Sequence, residues 1–416
     1  MRLTLIFFTF LATNLQAADT LSVAQCRQLA EQNSPLQQKK ALAENIAALQ
    51  TRNLQSNNLP RISVGAQATW QSDVFGFPVE SPLFNVPKVP KDQYKLSVDA
   101  SQRIWDGNSD RFMRRQSDLE RELAATQTDV DVFQIRELVT DLYFKILLLQ
   151  ESIAILQASQ ADLESRLKQA EAGIKEGIAL KTTADQVRIN ILKTEQQLGS
   201  THADQTTLMK ILALWIGRER VDFALTMPAN TVSVPTGPAE RPEYRLFLLQ
   251  QQNLQLGRDM LRLKSQPRVD AFVQGGVGRP NPFNFFETGF EPFFLVGLRA
   301  AWTPIDWGNR SRDAQVLELQ AKNIDAQRAA FDLRLEASLV KDREDSGKSK
   351  ALLQQDDAII KLQEDIVRRA EAQVREGVMT ATDYLTQLNI LTQARLTRAT
   401  HEVQDMQAKE MLNSKR

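Results

Sequence analysis

Several scarcities shape this sequence of 416 residues before any motif is sought. There is one cysteine, Cys26, so no disulfide can form within the chain. There are two histidines, His202 and His401, each alone in a polar stretch. Neither belongs to a nucleophile elbow, a phosphate loop or a set of metal ligands at usable spacing. An enzyme, a cofactor and a resident metal are therefore not expected. The scattered Asp and Glu residues read as solvated helix faces, and Met379, Met406 and Met411 as helix packing rather than a soft-metal site. Neither charge is in surplus, with 51 basic and 51 acidic residues. That balance leaves no polyanion footprint and predicts no nucleic-acid partner. Although 42% of the chain is hydrophobic, no run approaches the roughly 18 apolar residues of a membrane-spanning helix. If the mature chain enters a bilayer, it must do so as a β-barrel.

The N-terminus carries Arg2, the apolar stretch Leu3–Ala12 and the cleavage-like Leu15-Gln16-Ala17. Residues 1–17 are read as a signal peptide, which predicts export. Cys26, in the context Val23-Ala24-Gln25-Cys26, lacks the leucine and small residues of a lipid-attachment site. It falls in a helical pattern and reads as a buried small hydrophobe.

The rest of the chain is written twice. Pro60-Arg61-Ile62 matches Pro267-Arg268-Val269, and Pro35, Leu49, Leu54 and Gln67 match Pro242, Leu256, Leu261 and Gln274, all at an offset of 207. Ile104-Trp105-Asp106-Gly107-Asn108 matches Ile305-Asp306-Trp307-Gly308-Asn309 at 201. Glu171-Ala172-Gly173-Ile174-Lys175-Glu176-Gly177 matches Glu371-Ala372-Gln373-Val374-Arg375-Glu376-Gly377 at 200, and Asn190-Ile191-Leu192 matches Asn389-Ile390-Leu391 at 199. An ordered series drifting in one direction is the mark of a duplicated unit. The first repeat is placed at 18–235 and the second at 236–416, each reading helix, strand, strand, helix, helix.

Helices are expected over 21–58 and 240–265. Strands are expected over 61–73, 94–106, 268–279 and 293–305, where apolar and polar residues alternate, less cleanly in the glycine-rich third. In the first strand Ile62, Val64, Ala66, Ala68 and Trp70 share one face. The loops 74–93 and 279–292 are rich in Pro, Phe and Asn, including Pro78, Pro82, Pro87 and Pro90. From Val132, the residues Ile135, Val139, Leu142, Ile146, Leu149, Ile153 and Leu156 follow 3-4 spacing, continued by Leu163, Leu167, Ala170 and Ile174. That is a coiled-coil seam, on a helix on the order of 100 Å long at 1.5 Å per residue. Leu352, Ile359, Leu362 and Ile366 predict a looser seam in the second repeat.

Four strands of this length suit a tilted bilayer crossing, but four cannot close a barrel and open edges are not tolerated in lipid. The pattern predicts a barrel shared within an oligomer. Trp70, Trp105, Trp302 and Trp307 are expected at strand ends as membrane-interface aromatics; the competing reading is a soluble sandwich core. Gly173–Asn190 and Gln373–Asn389 interrupt the long helical patterns and read as hairpin tips. Gly177 and Gly377 suit a left-handed C-terminal cap, and Thr182, Thr183, Thr380 and Thr382 are candidate N-caps.

In order and spacing, Ile104-Trp105-Asp106-Gly107, Leu212-Ala213-Leu214-Trp215-Ile216-Gly217 and Arg241-Pro242-Glu243-Tyr244, with the leader and the duplication, resemble the TolC family of outer-membrane efflux proteins. The resemblance covers essentially all of the mature chain. It implies an α+β membrane protein, a homotrimer in which four strands per chain contribute to one transmembrane β-barrel set in outer-membrane lipid. A long α-helical barrel would continue it through the periplasm. It implies a passive exit duct for efflux or type I secretion, docking a periplasmic adaptor protein and an inner-membrane transporter of RND, ABC or MFS type. The adaptor would meet the tips at Gly173, Gly177, Leu180, Thr182, Gly377, Val378, Thr380 and Thr382, and the loops 74–93 and 279–292 would face outward. Asp383 stands where the family's best-studied member has the first of two entrance aspartates; the second position is Thr386, a departure from that pattern. Asp383, Thr386 and, from the other tip, Asp185 are thus the candidate periplasmic entrance constriction. Asp383 as a first-turn charge of its helix is an equal alternative. The alternative function is the periplasmic adaptor itself, which would show one hairpin flanked by soluble β-domains.

Overall fold

The computed structural model describes residues 19–74, 89–177, 180–228, 241–284 and 287–415. The signal peptide and residues Phe75, Phe77, Pro78, Pro82, Phe84, Pro87, Phe285 and Phe286 lie outside them. The elements in chain order are β1 (Asp19–Leu21), α1 (Val23–Asn33), α2 (Gln37–Ser56), β2 (Arg61–Trp70), β3 (Asp92–Trp105), α3 (Ser109–Lys175) and α4 (Lys181–Ile216), then β4 (Phe223–Leu225), α5 (Pro242–Leu263), β5 (Arg268–Arg279), β6 (Glu291–Ala301), α6 (Asn309–Arg375) and α7 (Ala381–Ser414). Helix, strand, strand, long helix and helix therefore occur twice, and α3 and α6 are each 67 residues long.

The chain forms two compact units that cut across the two repeats. The sheet unit comprises Gln38–Gln127 and Glu243–Ala329; the helical unit comprises Met1–Gln37, Thr128–Pro242 and Ala330–Arg416.

In the sheet unit the strands form one antiparallel sheet in the order β2-β3-β5-β6, leaving β2 and β6 as edges. Ladder pairing puts Val64 opposite Val98, Val98 opposite Gly275, and Val273 opposite Val296, so the apolar positions of all four strands share one face. That face is bare: Val64 is 71% exposed and Phe294 79%. The opposite face carries Ser97, Asp99, Gln274 and Lys95, joined by hydrogen bonds. The strand expected over 61–73 ends at Trp70, the one over 94–106 spans 92–105, and the one over 293–305 spans 291–301, while 268–279 agrees at both ends. After each strand pair two consecutive left-handed residues, Gly107 (φ 69°) with Asn108 (φ 70°) and Trp307 (φ 53°) with Gly308 (φ 78°), turn the chain into its long helix. A Cβ on Gly107 would sit 2.3 Å from Gln266 Oε1, the far end of a side chain that can move aside, so it is the positive φ that favours glycine there.

The core of the helical unit gathers Cys26, Ala30, Val139, Tyr143, Phe144, Ile146, Leu212, Ile216, Phe223 and Val403. Within it β1 and β4 pair in parallel, a short two-stranded element the sequence did not announce. Tyr143 explains its position: the hydroxyl lies 3.0 Å from the Leu21 carbonyl and 2.5 Å from that of Thr226, so a donor buried in the core fastens the pair. Cys26 is fully buried, and burial pushes its thiol up to about 12. The helix expected over 21–58 is two helices. Pro35 disfavours helical geometry at Ser34, which takes φ −62°, ψ 126° and ends α1. A capping box between Ser22 and Gln25 starts it.

The α3 seam is buried as expected at Val132, Ile135, Val139, Ile146, Ile153, Leu156 and Leu163. The seam expected on α6 is not. Ile359 is 50% exposed, Leu362 65% and Ile366 44%, whereas the buried positions are Asp342, Ser349, Asp356, Gln363 and Ala370, spaced by seven, with Leu339. This stripe faces α7 through polar pairs: Asp342 with Lys415 at 2.6 Å, Ser346 with Asp405 at 2.7 Å, His401 with Asp356 at 2.6 Å, and Gln363 with Gln387 at 3.0 Å.

Candidate functional site

The two hairpin ends of the helical unit are built on one plan. α3 and α6 each finish in a glycine of φ 74°, Gly177 and Gly377, whose amides reach back to Ile174 and Val374 at 3.1 Å. An added Cβ would meet nothing within 4 Å at either position, so the backbone angle alone demands glycine. The returning helices start differently. Thr380 caps α7: its hydroxyl accepts from the Asp383 amide at 3.2 Å and donates to the Asp383 carboxylate at 2.6 Å. The cap of α4 is Leu180, without any side-chain bond. Of the four candidate caps only Thr380 serves; Thr182, Thr183 and Thr382 lie at or inside helix starts, because the chain becomes helical one or two residues away from them.

The structure brings the two ends together. Thr382 Oγ1 donates to Gln186 Oε1 at 3.2 Å, and Asn389 Nδ2 donates to Asn190 Oδ1 at 3.2 Å, so Asn190 and Asn389, matched by the duplication, touch each other. Between them Leu163, Val187, Ile191, Ala370, Tyr384, Leu385 and Leu388 form a second apolar cluster. Asp383, Thr386 and Asp185 are all exposed. The Thr386 hydroxyl is spent on the Thr382 carbonyl at 2.9 Å, and the Asp185 carboxylate lies 3.2 Å from Arg188 one turn on. Asp383 has no basic partner among the described residues; Thr380 alone holds it. Gly173 lines a cavity of about 280 Å³ with Arg166, Thr183, Glu371, Arg375 and Tyr384.

Sequence reading missed the residue that ties this cluster together. Arg166 of α3 is 2.7 Å from Glu371 of α6 and stacks 5.2 Å from the Tyr384 ring of α7. Its hydrogen bond holds the Glu371 carboxyl below the ordinary range. Burial pushes the Tyr384 hydroxyl up to about 12, and that hydroxyl has no hydrogen-bond partner among the described residues. The one sequence signal was Glu371 itself, the duplicate of Glu171, which pairs with Arg188 at 2.7 Å.

In the sheet unit, Trp70 is the last residue of β2 and Trp105 of β3; the strands are antiparallel, so the two rings mark opposite rims. Trp302 follows β6 on the Trp105 rim, its indole donating to the Ser265 carbonyl at 2.9 Å. At the Trp70 rim Tyr94 and Phe290 add an aromatic pair with centroids 6.1 Å apart. Trp307 does not end a strand: it sits in the left-handed turn before α6.

An open sheet with one bare apolar face, joined in sequence to paired long-helix hairpins, recurs in solved structures. The chain is similar to the outer membrane protein VceC of Vibrio cholerae (TM-score 0.67, 14% identity, 94% of each chain covered). It is similar to the CmeC outer membrane channel of Campylobacter jejuni (TM-score 0.69, 12% identity, 100% of this chain and 94% of that one). It is also similar to the open state of the MtrE outer membrane channel of Neisseria gonorrhoeae (TM-score 0.65, 13% identity, 94% and 88%). These likenesses define the class: the chain has the TolC-like outer-membrane channel fold. Residues 26–218 match the sequence model of the outer membrane efflux protein family. A search of curated protein sequences finds no significant match.

Proposed function

We propose that this chain is one subunit of a homotrimeric exit duct of the outer membrane, in which the sheets of three copies close into a single barrel. The observation that carries the reading is the open sheet. Its strands are 10, 14, 12 and 11 residues long, enough to cross a bilayer at a tilt. It has a bare apolar face with aromatic side chains at both rims and two unpaired edges, and in lipid such edges must be closed by another copy. The apolar face meets outer-membrane lipid, the polar face lines the lumen, and Trp70, Trp105 and Trp302 sit at the interfaces. The helical unit stands in the periplasm. Its two hairpin ends, with Gly173, Gly177, Leu180, Thr182, Gly377, Val378, Thr380 and Thr382, dock a periplasmic adaptor. The adaptor links the duct to an inner-membrane transporter of RND, ABC or MFS type, for efflux or type I secretion. Asp383, one per subunit, rings the entrance; Asp185, paired with Arg188, and Thr386, bonded to its own helix, contribute less.

The test is single-channel conductance of detergent-purified protein in a planar bilayer, after a trimer mass and heat-modifiable migration have been recorded. Stable conductance from a trimer supports the duct. A monomeric species that does not insert overturns it and returns the chain to the adaptor class.

A further inference from the structure

The polar face of the sheet is not electrically neutral. The ladder registers place Arg61 of β2, Lys95 and Arg103 of β3, Arg268 of β5 and Arg299 of β6 on that face. The carboxylates on it are Asp99, Asp270 and Glu291, so five positive charges face three negative ones.

The two signs are also held differently. Asp99 is half-buried and receives hydrogen bonds from Ser97 Oγ at 3.0 Å and from Gln274 Nε2. Asp270, also half-buried, lies 4.0 Å from Arg103 and 3.8 Å from Arg268. Among the basic groups Arg103 and Arg268 share Asp270 and Lys95 donates to Gln274 Oε1 at 3.3 Å, whereas Arg61 and Arg299 stand clear of such ties. Arg299 is exposed and lies over the Phe272 ring at 5.1 Å, and Lys95 lies over Phe293 at 5.2 Å. Arg61 is exposed and makes no ion pair among the described residues. Stacking on an aromatic face orients a cation without neutralising it. Asp99 and Asp270 are thus drawn into the wall, while Arg61 and Arg299 keep their charge toward the open side.

We propose that this face is an anion-favouring wall of the pore, and that solutes carrying negative charge are the class it passes preferentially. The inference rests on the duct reading, in which the polar face lines the lumen. Threefold repetition of the surplus turns a modest bias into a ring field, the arrangement by which charged side chains set selectivity in wide pores. It also gives the duct two electrical characters, basic at the barrel and acidic where Asp383 rings the entrance. Coulomb's law at roughly 10 Å in water gives about a twofold local enrichment of monovalent anions per unit charge, before screening.

The experiment reads reversal potentials of trimeric channels in a planar bilayer under a potassium chloride gradient. The double variant Arg61→Gln/Arg299→Gln removes two exposed charges per subunit and should lower the chloride-to-potassium permeability ratio by roughly twofold or more. Asp270→Asn releases Arg103 and Arg268 and should raise it. An unchanged ratio in the double variant, or a fall with Asp270→Asn, overturns the proposal while leaving the duct intact. Trimers that never conduct overturn the duct itself, and this wall with it.

Discussion

Asp383 serves two masters in the structure, and the two can be separated. It is the first-turn acid of α7, bonded both ways to Thr380, and it is the exposed carboxylate proposed to ring the entrance. Removing the cap alone, with Thr380→Ala, should cost about 1 kcal/mol of local helix stability. Asp383→Ala should cost a similar amount, through the lost reciprocal bond and the lost interaction with the helix dipole, about 0.5–1 kcal/mol. Hydrogen exchange at the first turn of α7 should therefore quicken comparably in both variants. Their effects on a multivalent cation applied from the entrance side should differ sharply. For a divalent ion roughly 6 Å from a carboxylate in water, Coulomb's law gives about 1.4 kcal/mol, or tenfold in affinity, per subunit before screening. Three copies losing that interaction should weaken block by more than tenfold in Asp383→Ala, while Thr380→Ala, which keeps the charge, blocks like the parent. Equal block in all three proteins, or equal loss in both variants, would refute the ring and leave Asp383 as a cap residue only.

Other expectations follow from the same geometry. Gly377→Ala should destabilise the tip by about 1–2 kcal/mol, since an open space cannot relieve a left-handed backbone; hydrogen exchange confined to the hairpin end measures it, and unchanged protection contradicts it. The Cys26 thiol, held protonated by burial with a value of about 12, should resist maleimide in the native trimer at pH 8 and react only after unfolding; native labelling at the free-thiol rate contradicts its burial. Glu371 is held below its ordinary value of 4.5 by Arg166. Its stabilising contribution is complete above that pH and fades as pH falls through the lowered value, so the stability gap between the parent and Glu371→Gln should close in acid. Leu362→Glu should lower the yield of heat-modifiable trimer while the helix signal of the chain persists; an undiminished trimer yield would show that Leu362 lies away from the subunit contact.

What could be read from the sequence was what repeats locally. Period-two alternation located three of the strands clearly, because each residue's face is fixed by the pleat, while the glycine-rich β5, less clean in its alternation, nonetheless matches its expected bounds. The 3-4 spacing located the α3 seam for the same reason, and Gly177 and Gly377 announced themselves because few residues other than glycine take φ 74°. Features set by distant partners stayed hidden. The β1–β4 pair joins three-residue segments about 200 positions apart, too short for any period to register. Arg166 has its role only through α6 and α7, which supply Glu371 and Tyr384. Threonine near a helix start proved a poor guide to capping, since α4 begins at Lys181 and its N-cap, Leu180, makes no side-chain cap bond.

The seam of α6 failed for a more informative reason. A chain that folds for itself alone buries its apolar residues and exposes its charges. α6 does the reverse: Asp342, Asp356 and Gln363 are turned inward, while Ile359, Leu362 and Ile366 are left bare. The inward acids are tolerated because each has a partner on α7 or at its C-terminal cap, Lys415 for Asp342 and His401 for Asp356. Nothing of the kind compensates the bare apolar stripe, which has no counterpart within the chain among the described residues. In the proposed trimer the 3-4 spacing would be directed at a surface the single chain does not contain. The open edges of the sheet pose the same problem in hydrogen bonds that this stripe poses in apolar area. Both are answered together if the partner is a second copy of the same chain.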